Sequence, residues 1–231
     1  MALADDVRSR SARTLAELGA AYDYYADTKT AWRTVRRAVA AGDTFRTRNR
    51  ATGTVTTQTE LVAKSTGYVA EQLAAATFQQ FLSIFEDYFF DLLRLRLAAY
   101  PRSLTGRKVD FEAVLDAPDK DAITLSVINE ELNRVLYKRP AEWFEYLDGK
   151  VKLGVPTADE IGRIAGAKAS RDVLVHNRGV ATQTYEAKAG GRARYRDGQR
   201  VDISEQYHRE TWKLIRKVVA DVADAAVAKV S

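Results

Sequence analysis

Apolar positions along the chain recur at helical spacing. Val7, Leu15, Leu18, Tyr22, Tyr25, Trp32, Val35 and Val39 follow one face of a helix from about residue 3 to residue 40, and Gly42-Asp43 is its expected stop. The polar, threonine-rich stretch 44–59 reads as a loop. A second long helix is expected over 60–99. Phe78, Leu82, Phe85, Phe89 and Leu92 make one apolar stripe on it, and Phe81, Ile84, Tyr88 and Leu95 make the next. A helix apolar over so wide an arc belongs at the centre of a bundle, so these aromatics read as core rather than as a binding box.

The remainder is shorter in period. Residues 101–118 read as a connection with a short helical turn at 111–115, and a third helix spans 119–138, acidic at its start and basic at its end. Pro140 opens a short element that Asp148-Gly149 is expected to end. Thr157 and Glu160 have the spacing of a capping box, so a helix should start there and run to about Asn177, with Gly179 as its C-terminal cap. Residues 180–200 look irregular, with a break at Gly190-Gly191 and an extended piece at 201–203. The last helix, 204–228, should bury Trp212, Ile215, Val219 and Val222. No segment alternates with period two for long enough to build a sheet. The expected fold class is therefore all-α, a helical bundle with an additional long N-terminal helix. Residues 1–58 form the helical extension and loop, and 59–231 form the main helical domain.

Composition narrows the setting. The chain has 231 residues and no cysteine, which removes disulfides and thiolate metal sites and suits a reducing compartment. The first residues lack a basic segment followed by an apolar run, and no stretch is long and apolar enough to span a bilayer. A cytoplasmic protein without membrane attachment is the expectation. The formal charge of +5 permits a nucleic-acid partner without demanding one. The positive charge is gathered in two runs. One holds Lys29, Arg33, Arg36, Arg37, Arg46, Arg48 and Arg50 against Asp43; the other holds Arg178, Lys188, Arg192, Arg194, Arg196 and Arg200 against Glu186 and Asp197. Either alone reads as solvated surface; together they favour a phosphate backbone as partner.

The candidate chemistry lies just before the second run, in Arg171-Asp172-Val173-Leu174-Val175-His176-Asn177. Asp172 and His176 share a helix face one turn apart, so the carboxylate can orient the imidazole. His176 falls in the last helical turn, where the dipole favours a cation and a general acid or base can work. Arg171 lies about 140° around the axis from His176, so one helix does not aim both at the same atom. The bland alternative makes His176 a helix cap and Arg171–Asp172 a surface ion pair. His208 has no partner at useful spacing and reads as a surface histidine. Asp87 and Asp91 read as a solvated helix edge rather than a metal pair.

The arginine, the polar residue after it, the histidine five positions on, and the following Asn177-Arg178-Gly179 resemble the motif of the HEPN superfamily. The resemblance covers about residues 60–230, with the aromatic helix in the expected order. It implies a HEPN-like bundle acting as a metal-independent RNA endonuclease without cofactors. It also implies a homodimer in which two motifs form a composite site, often in a toxin or antiviral defence effector. On that reading His176 handles proton transfer, Arg171 stabilises charge on the phosphorane, and Asp172 orients the imidazole. The ribose 2′-hydroxyl is the nucleophile, and Glu86 is the candidate supporting polar group from the central helix. Asn177, Arg178, Arg192, Arg194 and Arg196 are candidate RNA contacts. RNA is the expected partner, with a neutralising antitoxin or regulatory protein as a further one. Two other readings stay open: a non-catalytic HEPN-type dimer that binds nucleic acid or a protein, and a structural bundle whose basic runs only solubilise it.

Overall fold

The computed structural model describes residues 2–104 and 106–229. It is all-α apart from one small hairpin. The elements run α1 (Ala2–Ala40), β1 (Thr47–Arg48), β2 (Val55–Thr56), α2 (Gln58–Gly67), α3 (Ala74–Ala99), α4 (Phe111–Asp116), α5 (Lys120–Leu136), α6 (Pro140–Val151), α7 (Ala158–His176), α8 (Gln183–Ala189) and α9 (Glu205–Ala228). The loop expected at 44–59 contains the hairpin, with Thr47 paired to Thr56 and Arg48 to Val55. The second long helix begins two residues earlier than expected, where Thr57 caps it and the Glu60 carboxylate accepts from the Thr57 N–H at 2.9 Å. It is not uniform: Tyr68–Leu73 is wound as a π-helix before α3 begins.

α3 is the central element and packs against α1, α5, α7 and α9. Phe78, Phe81, Phe85, Tyr88 and Phe89 are each at most 1% exposed, so the aromatic stripes do form the core. Burying each ring contributes roughly 1.5–3 kcal/mol. α1 joins this core through Val7, Leu18, Ala21 and Tyr25. Two buried polar links fix the register of α9: the Tyr88 hydroxyl donates to Val219 O (3.1 Å), and Trp212 Nε1 donates to Leu18 O (2.9 Å). Ile215, Val219 and Val222 are buried as expected; Trp212 is half-buried and stacks on Tyr22 at 4.2 Å.

Three expectations change. α6 does not stop at Asp148-Gly149 but runs to Val151, because Lys150 Nζ donates to Ser103 O (2.7 Å) and ties down the last turn. The left-handed Lys152 then ends it, with its N–H on Asp148 O. The stretch 180–200 is irregular only in part, since Gln183–Ala189 forms α8 before the break at Gly190-Gly191. Thr182 caps α8, Tyr185 is buried, and the neck closes where Ala181 N–H donates to Gln199 O and Val201 N–H to Gly179 O, both at 2.8 Å. His208 is not on the surface. It is fully buried, 2.7 Å from Thr77 Oγ1, with the rings of Tyr25 and Phe81 at 4.1 and 4.7 Å. Burial pushes its pKa down to about 4.

Candidate active site

α7 is held at both ends. At its start Thr157 Oγ1 accepts from Glu160 N–H (3.3 Å) and the Glu160 carboxylate accepts from Thr157 N–H (2.9 Å), which is the capping box expected from sequence. Lys217 from α9 donates to Glu160 at 2.8 Å. That bond first, and the Thr157 N–H second, lower the Glu160 carboxyl to about 2. At its end the N–H groups of Asn177 and Gly179 both reach Val173 O, at 3.0 and 3.1 Å. Arg178 and Gly179 take left-handed backbone there, so the chain reverses directly after His176.

Arg171 faces α3. Its guanidinium lies 3.4 Å from Ser83 Oγ, 3.7 Å from the Glu86 carboxylate and 3.3 Å from Asp172 Oδ1. Lys168 donates to Glu86 at 2.7 Å and lies 3.8 Å from Asp172, while Lys188 from α8 reaches the other Asp172 oxygen at 3.5 Å. Cations and carboxylates thus alternate along the face of α7. Side chains of Glu86, Lys168, Arg171 and Asp172 are only 15–21% exposed, so water screens these pairs weakly. Glu86 is therefore not an exposed helix residue but the α3 anchor of Arg171. The Arg171 Nε is buried and has no partner among the described residues.

Asp172 does not orient His176 in this chain. Its oxygens are taken by Lys168, Arg171 and Lys188, and three cations compete better for a carboxylate than an exposed imidazole does. His176 is exposed and its side chain makes no hydrogen bond or ion pair among the described residues. It lines a groove of about 140 Å³ with Asp172, Asn177, Thr182, Thr184 and Lys188. Arg171 does not line that groove, so a single chain leaves the two motif residues apart, as their spacing implied.

The candidate RNA contacts are dispersed. Asn177 Nδ2 donates to Val180 O and is occupied within its turn. Arg178 is exposed. Arg192 pairs with Asp159, Arg196 with Glu186 at 3.2 Å, and the Arg194 guanidinium lies 4.2 Å over the Tyr207 ring. Arg192 and Arg194 line a separate cavity of about 160 Å³ beside Arg163 and Glu210. Asp91 is not a free helix edge: Arg10 of α1 binds it at 2.8 Å. Burial raises the pKa of Asp87. No group of three or more His, Asp or Glu is arranged to hold a metal among the described residues.

Lys168 and Lys188, the latter from the second basic run, complete the charged network. The i, i+4 spacing of Lys168 and Asp172 is a readable signal; the approach of Lys188 depends on how α8 folds back. No helix of the described residues is long and apolar enough to cross a membrane. Comparison with protein-family models, curated proteins and solved structures finds no match to this chain.

Proposed function

We propose that the chain is a HEPN-type, metal-independent RNA endonuclease whose working unit is a homodimer. The observation that carries this reading is the contrast at α7: the His176 side chain lines a groove with no partner among the described residues, while Arg171 is braced by Glu86 and Ser83 of α3. A second copy packed along α7 supplies the arginine that each histidine lacks. The 2′-hydroxyl loses its proton to one His176 and its oxygen attacks phosphorus. The bond to the 5′-oxygen breaks, and the imidazolium formed in the first step returns its proton to that oxygen. The products are a 2′,3′-cyclic phosphate and a free 5′-hydroxyl. Arg171 balances charge on the phosphorane. An unrestrained activity of this kind suits a toxin or antiviral effector, held in check by an antitoxin or regulatory protein.

The test is incubation of the purified chain with RNA in EDTA beside His176→Ala and Arg171→Ala. Cleavage by the wild type alone supports the reading; cleavage that persists in folded His176→Ala overturns it. One observation favours a second reading, a non-catalytic dimer that binds RNA or protein: the guanidinium of Arg171 is already engaged by two carboxylates. Binding without cleavage at any enzyme concentration selects it.

A further inference from the structure

The groove at His176 does not end at Lys188. Asp172, Thr184, Lys188 and Ala169 also line a larger cavity of about 440 Å³ between the α5–α6 turn and the face made by α7 and α8. That volume lies within the roughly 300–1,000 Å³ of small-ligand sites. Its apolar lining includes Pro140, Ala165, Ala169 and Ala187. Its lining is cationic: Lys138, Arg139, Lys168 and Lys188 contribute to it against the single carboxylate of Asp172. The side chains of Lys138 and Arg139 are exposed and have no carboxylate partner among the described residues.

Tyr137 lines the same cavity and is 89% exposed, the most exposed of the large apolar side chains among the described residues. Folding gains almost nothing from a ring left in water. Yet the ring's backbone is well placed. Tyr137 is the C-cap of α5, and three residues later Pro140 starts α6, with the Arg139 N–H bound to Glu142 at 3.0 Å. A short turn between two capped helices thus places Tyr137 among the residues that line the cavity.

We propose that this cavity is a subsite for one unpaired nucleotide of single-stranded RNA, next to the phosphate held at His176. The base stacks on Tyr137 and lies against Ala165 and Ala169. Lys138, Arg139 and Lys188 hold the flanking phosphates. Stacking on a ring accepts any base, so the subsite selects unpaired RNA rather than a sequence. Its place beside a reacting phosphate rests on the endonuclease reading; its binding chemistry does not.

The experiment separates the two. A short fluorescein-labelled 2′-O-methyl oligouridylate has no free 2′-hydroxyl, so binding to the wild-type chain is read by anisotropy without cleavage. Tyr137→Ala raises Kd about ten-fold, the scale of one lost stacking partner, and Tyr137→Phe stays within about two-fold. Ala187→Leu, on an exposed α8 position, fills the cavity and weakens binding about as much as Tyr137→Ala. Circular dichroism melts of all three match the wild type. Lys138→Ala and Arg139→Ala each flatten the salt dependence of log Kd by about 0.7. Wild-type affinity in both Tyr137→Ala and Ala187→Leu overturns the subsite, as does absence of binding by the wild type. If binding depends on Tyr137 while unmodified RNA stays intact, the subsite stands and the endonuclease reading falls. If RNA is cleaved and the Tyr137 and Ala187 variants bind as the wild type does, the reverse holds.

Discussion

Thr77 Oγ1 and His208 Nε2 lie 2.7 Å apart between α3 and α9, both removed from solvent. The Thr77 hydroxyl also reaches Leu73 O at 2.7 Å, so its proton goes to that carbonyl and it accepts from Nε2–H of a neutral imidazole. The other ring nitrogen, Nδ1, is buried without a partner among the described residues. A second proton would place a charged N–H among the rings of Tyr22, Tyr25 and Phe81.

The fold should therefore be acid-sensitive through His208. Burial lowers its pKa from 6.5 to about 4; Glu205 opposes the shift and Lys29 adds to it. The unfolded chain takes up the proton first as pH falls below 6.5. Stability is then full above that value and declines until about pH 4, by on the order of 3 kcal/mol at most. Urea unfolding of the wild type and His208→Gln across this range measures it. Equal pH slopes in the two proteins would refute the assignment.

A second acid-labile contact guards the start of α7. The Glu160 carboxyl, lowered to about 2 by Lys217 and Thr157, lends stability above its ordinary value of 4.5. That contribution fades as pH falls from 4.5 toward about 2. Lys217→Met raises the Glu160 pKa, which a carboxyl titration by NMR reads directly. Thr157→Ala removes the cap and costs about 1 kcal/mol at neutral pH.

Two glycines one turn apart on α7 should respond oppositely to alanine. A Cβ at Gly166 would stand 3.1 Å from Arg192 Cβ and 3.2 Å from its carbonyl oxygen, whereas at Gly162 it meets only the Arg192 side chain at 3.5 Å. Gly162→Ala gains helix propensity and stabilises by up to about 1 kcal/mol. Gly166→Ala must push the backbone at Arg192 away and destabilises by about 1 kcal/mol net. Thermal melts of the two variants give the sign.

The composite site makes a demand that activity loss alone does not. Arg171→Ala and His176→Ala are each inactive, but a mixture refolded together forms heterodimers with one intact arginine and one intact histidine on different chains. Such a mixture regains partial cleavage only if the site is shared across the interface. No recovery, with heterodimers demonstrated by mass, places both residues of a working site in one chain.

Local chemistry was readable wherever it was periodic or capped. The Phe78–Leu92 stripe, the Thr157–Glu160 box and the reversal at Gly179 all follow from neighbours in sequence. His208 has no partner at a readable spacing, and the signal of its burial is the stripe it shares with Thr211 and Ile215, both buried. The Glu86–Arg171 contact spans 85 positions, and α8 depends on the neck between Val180 and Arg200. Both are set by packing of distant elements, for which no short spacing is a signal. The same holds for the cavity beside Tyr137, which exists only because α5, α7 and α8 meet around it.

Between Tyr25 and Thr56 no side chain is buried, although α1 continues unbroken to Ala40. The end of α1 is held by its own backbone bonds and by light contacts, Trp32 near Tyr68 and Arg36 on Thr66. Opening it exposes little apolar surface, so its amides should exchange with solvent at low cost and with almost no dependence on denaturant. The first half of the same helix exchanges only when the core opens. One continuous helix thus spans two levels of protection, and the π-wound stretch at Tyr68–Leu73 lies on the returning strand of chain where the weaker level meets the stronger.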